Sequence, residues 1–314
     1  MSQSSIKCAG IDVSKKSLDI AVHASTERFM ESNDAAGHAR IIARLKRLAV
    51  TRIGVEASGH YEAKLVRTLR QAGFEVLVLD PGQVHGFRRF RNQRAKTDPI
   101  DAALIAAVTA ACETVKPAPD ERLASLAEHL TLIEQIGEDI ARLKVRRERF
   151  DDKALLRYLN GEIARLSKRR KAQIARLTAK LLRHADLQRR FDLLLSIPAI
   201  GQMLALTLVI RMPELGHINR AEAAALAGVA PFNNDSGPHT GERHIQGGRH
   251  RVRRMAYLAA FTGSRWNPVL QQLYQRLTAA GKHHKLAITA CARKLLEIAN
   301  AILARGAPWR PALT

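Results

Sequence analysis

Acidic residues are scarce in this chain. Of its 314 residues, 29 are Asp or Glu against 51 Lys or Arg, a formal net charge of +22. A soluble protein carries such self-repulsion readily when a polyanion neutralises it, so nucleic acid is the leading partner expected and an anionic membrane surface the rival. The rival loses ground through a second absence. No apolar run reaches the ~18–20 residues of a membrane span, and the first ten residues, MSQSSIKCAG, lack the apolar stretch of a signal peptide. No membrane association and a cytoplasmic, nucleoid-associated protein are expected. Cysteine is rare too: Cys8, Cys112 and Cys291 are odd in number and scattered, which excludes a disulfide framework and a C-x-x-C zinc site. Aromatic residues reach only 4%, yet 46% of the chain is hydrophobic, enough for two or three domains with real cores.

What is present falls into three regions: 1–115, 116–190 and 191–314. The first alternates strands and helices. IKCAGIDVS, SLDIAVHA and ERFMESN read as three strands, and DAAGHARIIARLKRLA as an amphipathic helix with Ile41, Ile42, Leu45 and Leu48 on one side. Strand RIGVEA, helix YEAKLVRTLRQAG, strand FEVLVLD, the basic helix VHGFRRFR and a helix from Pro99 complete the set. Three strands before the first helix favour a ribonuclease-H-like α/β fold over a flavodoxin-like sheet. The second region is almost free of Gly and Pro and repeats Leu and Ile at three- and four-residue steps, so it is expected to be a central α-helical coiled coil, folded as a hairpin or dimerisation arm. The third is mostly α: LLLSIPAIGQMLALTLVIRMPELG reads as helix, tight turn, helix, followed by a small-residue helix, a loop rich in Gly, Asn and Ser, and two more helices.

Against so basic a background, the acids at element ends stand out. Asp98 and Asp101 lie three apart in KTDPIDAALIAA and so share one helix face. Local structure alone accounts for them, with Asp98 as N-cap, Pro99 as first helical residue and Asp101 at the positive end of the helix dipole. Asp12 ends the first strand in GIDVSK, however, and Glu56 ends the fourth in GVEASG. In a ribonuclease-H-like sheet those strands are neighbours and the helix carrying Asp98 and Asp101 packs over that edge. Four converging carboxylates suit hard divalent cations, Mg²⁺ or Mn²⁺, which take oxygen ligands. Two such ions can flank a phosphodiester. Asp19, Glu62 and Asp80 read as surface or cap residues.

The motifs GIDVSK, EASG and KTDPIDA, with Asp12, Glu56, Asp98 and Asp101, resemble the D-E-D-D signature of transposases of the insertion-sequence 110 family. IPAIG, LAGVAPFNNDSG, GGRHRVRRMAY and the long closing segment from RWNPVL to the final PW resemble the same family's C-terminal region. The resemblance implies a Holliday-junction-resolvase-like (RuvC-like) first domain, a central coiled coil and a C-terminal transposase domain. It implies that Ser236, in NNDSGPH, attacks DNA, and that a structured guide RNA pairs with donor and target DNA. A homo-oligomer, dimer or tetramer, is expected, because exchange between two duplexes requires several strand cuts.

Two further stretches carry readings of their own. Arg243, Arg249, Arg251, Arg253 and Arg254, beside Gly247 and Gly248, read as a phosphate clamp or as a solvated face. IPAIG is similar to a helix-hairpin-helix turn, but Ala199 stands where such turns usually carry glycine, which leaves packing and DNA contact both open. Three functions are therefore weighed. They are a Mg²⁺-dependent serine recombinase of an insertion sequence, a metal-dependent junction nuclease using water, and a non-catalytic nucleic-acid-binding protein.

Overall fold

A computed structural model describes residues 6–57, 59, 61–92, 98–113, 120–232, 235–236, 239–241 and 243–310; for Asp98, Pro99, Asp235, Ser236, His239 and Thr240 it describes the backbone alone. The chain divides into two compact units, 1–119 and 120–314.

The first unit is a mixed sheet with helices on both faces. Its strands are β1 (Cys8–Val13), β2 (Ser17–Val22), β3 (Arg28–Ser32), β4 (Arg52–Glu56) and β5 (Glu75–Leu79), in spatial order β3-β2-β1-β4-β5. The first three form an antiparallel meander, whereas β1, β4 and β5 run parallel. Period-two alternation divides β1 and β4 cleanly. Ile11, Ile53 and Val55 enter a core with Ile41 and Leu45 of α1 (Ala35–Arg47) and with Leu65 and Leu69 of α2 (Ala63–Gln71). Helix α1 starts where the Asp34 carboxylate accepts the Gly37 amide at 2.8 Å, an N-cap. The opposite face lies under α3 (Pro81–Phe90) and α4 (Asp98–Ala111), where Leu77, Leu79, Val84, Leu104, Ile105 and Val108 pack together. Asp80, expected to be a cap, opens α3 with a capping box.

The second unit is nearly all helix. Helices α5 (Glu121–Arg147) and α6 (Lys153–Leu181) fold back on each other as a hairpin, with His129 bonded to Gln173 at 2.8 Å. At its base Leu123, Leu126, Leu130, Ile133, Leu177 and Leu181 enter one aliphatic core with the helices that follow. These are α7 (Ala185–Leu195), α8 (Gln202–Arg211) and α9 (Arg220–Ala227). Beyond them, β6 (Pro231–Phe232) pairs with β9 (His244–Ile245), and β7 (Asp235–Ser236) with β8 (His239–Thr240). The loop read from the sequence is thus two short ladders. Three helices, not two, close the chain: α10 (His250–Gly263), α11 (Pro268–Ala279) and α12 (His284–Arg305). The extra break has a local cause, since Asn267 caps α11 through the Val269 and Leu270 amides and Pro268 sits in its first turn. Among the described residues no helix is long and apolar enough to cross a membrane.

Candidate active site

The position of α4 follows from two glycines. Gly10 and Gly54 are register partners on the parallel strands β1 and β4. A β-carbon at Gly10 would lie 2.2 Å from the Ala106 nitrogen and 2.3 Å from the Ala102 oxygen, and one at Gly54 would lie 1.8 Å from Thr109 Oγ1. Helix backbone therefore rests directly on sheet backbone. Two residues along each strand, on that same face, stand Asp12 and Glu56. Two strand residues advance about 6.6 Å and one helical turn 5.4 Å. The turn of α4 preceding Ala102, which begins at Asp98 and contains Asp101, thus comes level with the carboxyl ends of β1 and β4.

Both ends of this helix are held by arginines. At the C-terminal end Arg52, buried in β4, donates from Nη1 to the Cys112 carbonyl at 2.9 Å and from Nε to Glu75 at 2.6 Å. At the N-terminal end Asp101 is only 8% exposed and accepts Arg88 Nη2 of α3 at 2.5 Å. Arg88 Nε is buried and lacks a hydrogen-bond partner among the described residues.

Two residues here have neighbours that the sequence reading did not anticipate. Arg88 is one; FRRF marks a basic helix, but nothing in its spacing points to Asp101. The other is Asp19, which faces Asp12 directly across the β1–β2 ladder. The hairpin register was the available signal: counting back from the Ser14–Ser17 turn, where Ser14 Oγ accepts the Ser17 amide at 2.9 Å, pairs 13 with 18 and 12 with 19. Asp19, Asp12 and Glu56 form a row across three strands beneath α4. Among the described residues no three such side chains are grouped closely enough to hold a metal ion, and the Asp98 side chain lies outside that set.

The residues singled out in the second unit have intrachain engagements. Arg251 of α10 pairs with Glu134 of α5, which also accepts Arg211 of α8 at 3.0 Å. Burial pulls the Arg211 guanidinium below its usual range against the opposing attraction of Glu134. One turn along, Arg254 meets Glu138 at 3.1 Å, while Arg249 pairs with Glu214. Arg253 donates to the carbonyls of Gly247 and Gly228 at 3.0 and 3.2 Å. Arg243 is exposed. Ser236 lies in β7, opposite His239 of β8, and its hydroxyl is outside the described atoms. In the IPAIG turn Ala199 adopts φ 81°, the left-handed region where glycine is at home, and Asn267 Nδ2 donates to the Pro198 carbonyl at 2.7 Å.

Comparison with known proteins gives matches along most of the chain. Residues 9–150 match the model of the IS110-type DEDD family, described as Transposase, and residues 191–275 match that of the Transposase IS116/IS110/IS902 family. The pilin gene-inverting protein of Moraxella bovis is 24% identical over 316 residues, covering 96% of each chain, and that of Moraxella lacunata is similar to the same extent. The insertion element IS900 uncharacterized 42 kDa protein of Mycobacterium paratuberculosis is 32% identical over 129 residues, 40% of this chain and 32% of that one.

Proposed function

The chain belongs to the IS116/IS110/IS902 family of transposases and is a DNA transposase or recombinase; from that premise we propose that it cuts and rejoins the DNA of an insertion sequence through a covalent phosphoserine. The first unit is a RuvC-like, ribonuclease-H-like domain, residues 1–115. The hairpin at 116–190 is a coiled-coil arm, and residues 191–314 are the domain that supplies the nucleophile. The observation that carries the reading is the seating of α4 on Gly10 and Gly54, because it aligns the turn bearing Asp98 and Asp101 with the strand ends bearing Asp12 and Glu56.

In the proposed step Ser236 Oγ bonds to the scissile phosphorus and the strand oxygen leaves, taking a proton as the serine proton is given up. In rejoining, a strand hydroxyl attacks the phosphoserine, the Oγ–P bond breaks and Ser236 regains its proton. The phosphodiester's energy is conserved throughout, so no nucleotide triphosphate is required. Asp12, Glu56, Asp98 and Asp101 offer the hard oxygen donors that Mg²⁺ or Mn²⁺ takes, and the guanidinium lying against Asp101 supports a preference of this set for cations. When bound, the metal would polarise the phosphate and lower the energy of the attacking and leaving oxygens.

A guide RNA, with DNA as substrate, accords with a net charge of +22. Arg243, Arg249, Arg251, Arg253 and Arg254 are proposed as phosphate contacts on one of the two nucleic acids. A relative named for inverting a gene supports a reaction that rejoins what it cuts. The protein acts on the nucleoid in the cytoplasm as a dimer or tetramer. Exposed Val145, Leu155 and Tyr158 along the hairpin support an interface there.

The test is a recombination assay with Ser236→Ala, Asp12→Asn and Asp101→Asn, run beside denaturing detection of a protein–DNA adduct. Each variant should abolish recombination, and Ser236→Ala should leave no adduct. Strand cleavage that survives Ser236→Ala would make the enzyme a junction nuclease with water as its nucleophile. Unchanged strand breakage in the two Asp variants would remove the carboxylates from the site, and wild type that breaks no strand would be only a nucleic-acid-binding protein.

A further inference from the structure

Arg88 holds a carboxylate in a way that does not resemble a permanent strut. The most rigid arginine–carboxylate pairs present two parallel N–H groups to the two oxygens. Here one nitrogen, Nη2, reaches one oxygen, Asp101 Oδ1, while the buried Nε has no hydrogen-bond partner among the described residues. The Arg88 and Asp101 side chains are nonetheless only 16% and 11% exposed, so each needs compensation for lost hydration. The surroundings explain why a cation sits there. Asp101 belongs to the helical turn aligned with the row Asp19, Asp12 and Glu56, and a further acid beside such a row favours a cation close to it.

We infer that Arg88 is a stand-in cation, which neutralises Asp101 until a divalent ion takes that carboxylate and is then displaced. The inference rests on the reading of Asp101 as a metal ligand. Electrostatics gives the direction. A divalent ion brings twice the charge of a guanidinium to the same acids and repels the Arg88 side chain. By reciprocity, Arg88 weakens the binding of the ion as much as the ion weakens the Arg88–Asp101 contact. The consequence is conditional loading. Metal binds weakly to the free protein and firmly once a DNA phosphate adds negative charge, so the cutting site is assembled on its substrate and not elsewhere.

Full-length wild type, Arg88→Gln, Arg88→Lys and Asp101→Asn are compared by Mn²⁺ titration, with free Mn²⁺ followed by electron paramagnetic resonance and folding followed by circular dichroism. Arg88→Gln keeps a long polar side chain but no charge, and should bind Mn²⁺ about tenfold more tightly. Arg88→Lys should bind like wild type. A short DNA duplex should tighten Mn²⁺ binding more in wild type than in Arg88→Gln. Equal or weaker binding by folded Arg88→Gln overturns the inference. If Arg88→Gln is unfolded alone, Mn²⁺ must restore its fold, and failure to do so also overturns it. Should Asp101→Asn bind Mn²⁺ as wild type does, the metal-ligand reading itself fails. Weakened binding by Asp101→Asn alongside unchanged binding by Arg88→Gln sinks only the stand-in role.

Discussion

Gly10 and Gly54 stand beside each other on parallel strands, and the α4 backbone comes so close that a β-carbon on Gly10 would sit 2.2 Å from the Ala106 amide nitrogen. Neither strand nor helix can yield there without moving as a whole. Gly10→Ala should therefore destabilise the first unit by about 3 kcal/mol or more, the upper end of overpacking effects. At Gly54 the obstacle is a side chain, Thr109. Gly54→Ala should regain part of its loss in a Thr109→Ala background, whereas no side-chain truncation rescues Gly10→Ala. Urea unfolding of the four variants checks both statements.

Ala199 carries its φ of 81° at a steric disadvantage of ~1–2 kcal/mol, and its β-carbon fills the place that one on Gly263 would need, 2.4 Å away. Ala199→Gly should raise stability by about 1 kcal/mol, less a few tenths for the greater freedom of the unfolded chain. Gly263→Ala should be harmful in wild type and far milder in the Ala199→Gly protein. A double-mutant cycle measured by thermal unfolding gives the coupling directly.

Glu134 accepts two arginines from two helices while its side chain is only 11% exposed. Glu134→Gln should destabilise the second unit by roughly 3 kcal/mol, because Arg211 and Arg251 would be left without their shared counter-charge. Arg251→Ala should likewise lower stability. Arg243→Ala should leave unfolding unchanged and instead reduce the slope of log affinity for DNA against log salt by about one. A salt titration of DNA binding, set beside an unfolding curve, separates the two arginines.

His38 is buried, bonds Asn33 at 2.9 Å, and has its pKa pulled below the ordinary histidine value, chiefly by desolvation. The folded state thus binds this proton less readily than the unfolded chain. His38 contributes its full stability above the unfolded pKa near ~6.5 and loses it as pH falls through the lower folded value. The first unit should melt lower at pH 5.5 than at pH 7.5. His38→Gln should flatten that difference, as read by calorimetry at both pH values.

The sequence made legible whatever depended on neighbours in the chain. The order of strands and helices in the first unit, the Asp80 cap, the long helices of the hairpin and the turn at Pro198 all follow from local pattern. The strand-end placement of Asp12 and Glu56 was recognisable because such a position can be counted. What could not be read arises between distant segments. Arg251 meets Glu134 across 117 residues, and no spacing announces that an apparent phosphate contact is engaged with a glutamate. Arg88 and Asp101 lie on separate helices, and their pairing depends on the angle at which α3 crosses α4. The break before α11 is different, since Asn267–Pro268 is a plain stop-and-start signal, masked by an apolar periodicity that runs on through it.

The seat of α4 places the acidic turn by main-chain contact at Gly10 and by the close fit of Thr109 against Gly54. Aliphatic residues on the far side of the sheet, such as Ile11, Ile53 and Val55, can exchange methyl groups over generations without altering how far a strand tip lies from the helix above it. The molecule's measuring stick is separate from its filling, so the interval between the strand tips and the acidic turn is set independently of how the far core is packed.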